Sequence, residues 1–565
     1  MTEQGKKRST ASQRLTSSRH KVKQSLEQEN QPTIFPHRPT TNDCQVWRAF
    51  WQTQNQPWRT EIEIDAERQA YLAEWRTIIP NRRLGVYPFK DIKLNRADVE
   101  WLLATHENGR GPVDWTDKSQ REREGLDLRG ADLRHENLSN LPLARMRGGL
   151  TFAEWYYPNS EPPVVIQLED TNLDGIHLEG AILRGVCLED AELNGVCLQK
   201  ANLSDAHMER AKFNGVHLEN AELYRAHLEK VNLSETHLEG TILAGANLED
   251  ANLYQALLQD ANLDEACLEN TNLCKAHLEG AILTKANLKK ANLTRAFLES
   301  ANLAGANLEK ADLFETHLER AFLVGASLRD TFLKRAYLEG ANLKDVILTN
   351  EKQIGPKIAD IWWSNVSLTA VKWSQVKILG DEYEARQKMR GGKVKDKLSR
   401  LEDYENAVRA NRQLAIALQS QGLYEDAAHF AYRAQVLHRK VLRRQGFLPH
   451  INLWERVRKL NSYVFSGFLD LLAGYGYHPA KTVFWYLFVI LVFAIGYATF
   501  GHLVLLPDAL VFSFMSFHGR GFFPSLSGET SLHNPIVILA AAEAVMGLLV
   551  EISFIATFTQ RYFEK

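Results

Sequence analysis

Cysteine is scarce in this chain: there are five among 565 residues, at Cys44, Cys187, Cys197, Cys267 and Cys274, and none has the paired spacing of a metal-binding motif. That usage suits a reduced, cytosolic setting for most of the chain. A strong charge balance is lacking too. The formal net charge is -2, so bulk charge gives no reason to expect a nucleic acid as partner. Residues 1–41 hold no apolar core of the kind a secretory signal needs. They are polar, with Lys6, Lys7, Arg8, Arg14 and Arg19 against few acids, and read as a disordered basic tail. There is no phosphate-binding glycine loop, no nucleophile elbow and no metal-ligand cluster. An enzyme is not expected, nor a cofactor.

What the chain does have is a repeat. Over 166–350 Leu recurs at every fifth position, usually with Ala, Val or Thr two residues before it, as in TNLDGIHLEGAILRGVCLEDAELNG. About 37 pentads follow one another, and only Met208 and Phe213 replace the central Leu. Neither a helix nor a flat strand puts one residue in five inward over such a length. A chain that turns a corner every five residues does, and four corners make a square coil whose narrow interior alternates Leu with a small residue. The pattern resembles that of the pentapeptide-repeat proteins, matched literally in ANLAG, ANLEK and ADLFE. The resemblance implies a mainly β fold, a right-handed quadrilateral β-helix of about 20 residues per coil, with nine coils spanning about 45 Å. Leu128, Leu133, Leu138 and Leu143 are in phase with Leu168. The coil is therefore expected over 125–380, with insertions at 146–165 and 351–360 and with Trp363, Leu368 and Trp373 closing its end.

Two outer features of the coil stand out. His177, His217, His237, His277 and His317 each precede a central Leu and differ by multiples of about 20, so they should stack on one face. His207 and His227 fall on the opposite face. A straight column does not supply the tetrahedral convergence a metal needs. Packing against another part of the protein or a second rod, or repeat duplication without a role, are the readings left. Charge is graded along the coil, with 20 acids against 6 Lys and Arg over 166–270, and 9 against 11 over 271–350. Some pentapeptide-repeat proteins mimic DNA with an acidic rod and block a topoisomerase. The resemblance admits that role, and a membrane tether argues against it.

Helical segments flank the coil. Residues 42–124 are rich in Trp, and DAERQAYLAEWRTIIP begins with an Asp cap and spaces Tyr71, Leu72, Trp75 and Ile78 helically, so this region is expected to be a helical N-terminal cap. Residues 381–447 read as a charged linker and a helical hairpin broken at Gln421 and Gly422, either an ordinary hairpin or one resembling a tetratricopeptide unit. Residues 448–478 are amphipathic and aromatic, suited to a membrane surface.

The C-terminal part, 479–565, carries two long apolar runs. Residues 482–506 lack any acid, Lys or Arg, and 535–558 are apolar apart from Glu543 and Glu551. Arg439, Lys440, Arg443, Arg444, Arg456, Arg458 and Lys459 precede the first run, and Arg561 and Lys565 follow the second. The positive-inside rule then expects a multi-pass protein of a bacterial-type inner (plasma) membrane with both termini cytoplasmic. Between the runs lies ALVFSFMSFHGRGFFP, within a re-entrant segment at 508–524. Span, short helix, glycine loop, span: this order resembles the two-span pore module of potassium channels, with Glu543 and Gly547 falling where that family often has a Glu and a hinge-like Gly. At the filter Phe517, His518, Gly519, Arg520 and Gly521 match only through the glycines, and Arg520 would favour anions over potassium. The expectation is a channel-like protein, a tetramer if a pore, with a cytosolic sensor or assembly rod. The alternatives are a membrane-anchored scaffold for an unidentified cytosolic protein partner and, below it, the DNA-mimic inhibitor. In the lipid bilayer Glu543 and Glu551 should face the bundle interior, bracing the short helix or lining a path.

Overall fold

Each pentad ends in a turn, and the turn is what makes the coil. In the computed structural model, which describes residues 37–81, 84–151, 154, 165–390, 392–448, 452–500, 506–519 and 535–562, every fifth residue from Asp170 to Asp345 has a positive φ. It stands two after the central Leu, and the next N–H closes back on the Leu carbonyl, as Ala261 does on Leu258 at 3.1 Å. A β-turn with a left-handed third residue is a type II turn. Gly fills that position often, but Lys, Arg, Glu and Asp fill it too, at a local cost of roughly 1–2 kcal/mol each that the close-packed interior must offset.

Between turns the chain is extended for one residue, which bridges in parallel to the residue 20 positions on: Gln167 to Cys187 to His207, Asn172 to Glu192, His177 to Cys197, Ile182 to Asn202. These four columns are the four faces of the coil. The central Leu and the small residue before it point inward and are buried from Leu168 to Leu348. Where the small residue is Thr, its hydroxyl is satisfied internally: Thr271 Oγ1 donates to the Leu248 carbonyl at 2.8 Å. Asn before the Leu caps its own turn, as Asn262 Oδ1 does for the Asp264 N–H at 3.0 Å. It also donates to the Asn one coil below, Asn272 to Asn252 at 2.8 Å and Asn252 to Asn232 at 2.9 Å. That is the chemistry behind the Asn of the repeat.

Both expected insertions are shorter than the sequence suggested. Arg147 bridges to Asp127 and to Ile182, and Met146 and Leu150 are buried, so the coil continues past 146. Gly148 occupies the central position, which made the repeat look broken. A side chain there would collide with Ile166, which fills the gap from beyond the insertion. At the other end Lys357 already bridges to Phe332, and Ile358 and Ala359 are buried, so the interruption ends before 357. Trp363 and Trp373 meet edge to face at 6.2 Å near the end of the coil, where they line an apolar cavity with Leu338, Leu343 and Leu348.

The N-terminal helices form a unit of their own, residues 37–74 with 95–111. In it α1 (Cys44–Thr53), α2 (Ala66–Trp75) and α3 (Arg96–Ala104) are held by buried acids. Asp98 takes Arg68 in a two-point pair at 3.0 and 2.7 Å, and Glu100 accepts from the N–H groups of Thr60 and Glu61. Residues 75–94 belong with the coil, where Lys93 bridges to Asp132 on its first turn.

Residues 381–398 are not a plain linker. They hold α4 (Gly380–Arg386) and a small hairpin, β1 (Met389–Arg390) with β2 (Lys393–Val394), and Asp381 and Glu382 are buried. Then α5 (Lys397–Ser420) and α6 (Tyr424–Gly446) form the hairpin and seat on the end of the coil. Gln421, at the bend, accepts from the Leu368 N–H at 2.8 Å and donates to the Val366 carbonyl at 2.6 Å. Phe430 packs on Trp373. Beyond come α7 (Leu453–Ala473), α8 (Pro479–Phe500), α9 (Leu506–Phe517) and α10 (Pro535–Tyr562). The basic tail at 1–36 lies outside the described residues.

Candidate functional site

Of the helices beyond the hairpin, α8 and α10 are long and apolar enough to cross a membrane, over Pro479–Thr499 and Ile536–Ile555. Short α9 packs against both. Val511, Phe514 and Met515 are exposed on it, and Ser513 and Ser516 are buried. Two acids of α10 grip it. Glu543, fully buried, accepts from Tyr497 Oη at 2.7 Å and from Ser513 Oγ, while Ser513 is also placed against the Ile490 carbonyl of α8. Two turns on, Glu551 pairs with His518 Nδ1, and His518 Nε2 meets Tyr486 Oη of α8 at 2.9 Å. The spacing of eight that puts both acids on one face of α10 thus gives the short helix two attachment points.

Gly547, between those acids, lies directly under the Phe517 carbonyl, where any side chain would overlap the backbone. α10 runs unbroken through it, so close approach and not a bend explains the glycine. Phe517 is buried against Tyr486, Val489, Ile490 and Val550. Gly519 takes the left-handed conformation at φ +67°. Arg520 and Gly521, the remaining filter candidates, lie outside the described residues. Tyr486 and Tyr497 were not singled out in the sequence, though a phenol inside an apolar run is the signal that would have found them. Asp470 of α7 was also missed. It joins Tyr432 at 3.1 Å and Arg439 at 3.0 Å of α6, with Lys481 of α8 at 3.5 Å, tying the hairpin to the first apolar helix.

On the coil, His177, His217, His237, His277 and His317 occupy one column, with Cys197, Leu257 and Phe297 between them and Tyr337 after the last. His217 stacks on His237 at 4.7 Å, and His277, Phe297, His317 and Tyr337 stack in series at 4.6, 5.1 and 4.5 Å. On the opposite face His207 and His227 stack at 4.5 Å. The sequence reading missed the partner of these rings: the Glu two residues on. His177 Nδ1 lies 3.0 Å from Glu179, His217 2.9 Å from Glu219 and His277 2.9 Å from Glu279. Glu179 raises the affinity of His177 for a proton, chiefly through that hydrogen bond.

Residues 166–199, 201–240, 241–280, 281–320 and 311–350 match the family described as Pentapeptide repeats, in eight copies. This part of the chain is a pentapeptide-repeat coil. Its likeness to solved structures includes HetL, a pentapeptide repeat protein involved in heterocyst differentiation regulation from the cyanobacterium Nostoc sp. Strain PCC 7120, at 23% identity over 54% of this chain and 100% of that one, TM-score 0.17. Rfr23, a pentapeptide repeat protein from the cyanobacterium Cyanothece 51142, is 30% identical over 24% of this chain and 86% of that one, TM-score 0.12. QnrB1, a plasmid-mediated fluoroquinolone resistance protein, is 18% identical over 32% of this chain and 91% of that one, TM-score 0.21. No curated protein matches by sequence. The family match ends at residue 350, ahead of α4.

Proposed function

We propose that the chain is a membrane-anchored pentapeptide-repeat scaffold. A right-handed quadrilateral coil stands on the cytosolic side of a bacterial-type inner membrane, open to a protein partner, and α8 to α10 hold it there. One observation carries the reading. The outer faces of α8 and α10 leave Phe484, Leu487, Leu491, Ile495, Val545, Leu548, Ile552 and Ile555 exposed in two apolar sheets, a surface that suits lipid and not water. Glu543, Tyr497 and Ser513 turn inward and take partners there, as bilayer depth requires. Exposed Trp454, Leu460, Val464 and Phe465 on α7, beside its Arg and Lys residues, suit the headgroup boundary. The crowd of basic residues before α8 favours both termini on the cytosolic side.

A tetrameric channel is the second reading, favoured by the insertion of α9 between two spans. Against it, Glu543, His518 and Glu551 are engaged in fastening α9. Full-length protein reconstituted in planar bilayers separates the two. A scaffold gives no current while staying in membranes through alkaline carbonate. An anion current abolished by Arg520→Glu establishes the pore instead. Release into carbonate removes both.

A further inference from the structure

Among the described residues, the coil holds one place where three different metal-ligand chemistries meet. Cys197 lies one coil beyond His177 in the same column and bridges to it, and Glu179 stands two residues after His177 on the turn of the same pentad. One ligand atom from each falls within 4.8 Å of the others. Glu179 Oε1 takes His177 Nδ1, and its Oε2 is buried with no hydrogen-bond partner. We propose that His177, Glu179 and Cys197 bind a divalent, borderline-soft transition metal of the zinc class.

The neighbouring rungs show why this one is singled out. The His–Glu pair recurs along the coil, so the pair alone is a feature of the repeat. A buried Oε2 without a partner recurs at Glu209, Glu219, Glu239, Glu279 and Glu319, but the carboxylate side chain as a whole is more exposed at other rungs, 27% at Glu219 and 34% at Glu279, against 9% at Glu179. The Trp115 ring stands against the adjoining Gly180. The His207–Glu209–His227 and His217–Glu219–His237 groups also bring three ligands together. Their imidazoles lie nearly parallel, 6° and 21° apart, so their in-plane lone pairs run side by side and do not converge on one ion. A thiolate has no such plane to satisfy. Cys, His and carboxylate with a fourth position left to water is a donor set zinc accepts.

In this account the ion takes the place of the proton between Nδ1 and Oε1, and the neutral imidazole carries that proton on Nε2 instead. The Cys197 thiol gives up its proton to solvent as the metal–sulfur bond forms. Burial, with Glu179 and Glu219 nearby, holds that thiol above its ordinary range, and a bound cation reverses the balance. Binding therefore releases a proton and weakens as pH falls.

Cobalt(II) added to purified full-length protein in detergent is the test, with zinc counted by elemental analysis after gel filtration. A thiolate-to-cobalt band in the near ultraviolet is expected. Cys197→Ser should abolish it with the loss of one zinc equivalent, His177→Gln should weaken it at least tenfold in cobalt affinity, and Cys274→Ser should leave it in place. Metal-free melting of each variant, compared with the parent, identifies misfolding, in which case His177→Gln alone decides. Absence of the band, or its survival in Cys197→Ser or undiminished in His177→Gln, overturns the proposal.

Discussion

Asp381 shows how much one side chain carries at the seam between coil and hairpin. It is buried in α4, and its Oδ2 accepts the Ile358 N–H at 2.7 Å. Burial pushes its pKa from 3.8 up to about 6. The folded chain therefore holds this proton more tightly than the unfolded chain. The resulting stability is full below about pH 4, is lost as pH rises towards 6, and changes no further above that. Asp381→Asn keeps an acceptor and removes the titration, so the difference in melting temperature between variant and parent should grow in the variant's favour from pH 4 to pH 6.5. A constant difference across that range would refute the assignment. Gly547 makes the opposite kind of demand, for space. Gly547→Ala sets a methyl against the Phe517 carbonyl, and the overlap should lower the stability of the detergent-solubilised protein by about 1–3 kcal/mol. Neither residue announced its role in the sequence. A carboxylate in a charged stretch looks solvated, and a glycine in an apolar helix looks like a hinge, until the packing partner is known.

Elements were more legible than residues, and the reason is periodicity. A repeat of five with Leu at its centre admits one backbone solution, so the coil could be read from the chain almost to its ends. Reading failed where the central Leu is absent although the coil goes on. Gly148 is filled by Ile166 from beyond the insertion, and that substitution is invisible to a register count. The extent of the hairpin was equally plain from helical spacing, but its docking was not, since Gln421 reads as a helix breaker's neighbour and acts as a clasp. Its amide meets an N–H and a carbonyl of the last turn of the coil at once. Gln421→Ala leaves both backbone groups without this partner, a loss of roughly 1–3 kcal/mol at the junction. Hydrogen exchange should then speed up at Leu368, whose N–H loses its acceptor, by at least fivefold, while amides deep in the coil, such as Leu253, keep the parent rate. Uniform acceleration along the coil would mean that the clasp stabilises the whole chain and not this junction.

At the scale of the molecule, the coil behaves as a stack in which each turn touches only the turns before and after it, because every bridge joins residues 20 apart over the regular stretch. Its length is then free to change, provided the change respects both the pentad and the coil. Removing residues 242–261 lets Asn262 take the place of Ile242 beneath Glu222, its partner's partner, and keeps each column on its own face. Leu stays inward, the turns keep their left-handed residue, and the hairpin and apolar helices are carried round by one full coil to their former azimuth. The stability lost is that of one repeat and its interface. Removing only Ile242 and Leu243 deletes far fewer atoms yet forces each later Leu into the narrow place of the small residue and turns the left-handed turn residues, Asp250 and Asp260 among them, to the centre until the register recovers, which overpacks the interior and buries charges without partners. Circular dichroism melting of the full-length variants in detergent should show one cooperative transition for the longer deletion, within a few degrees of the parent. The two-residue deletion should show a broadened transition starting well below it, with protease cleavage near residue 241. Equal tolerance of both deletions would mean that the Leu register does not hold the coil together, because a core that did so could not survive the loss of its phase.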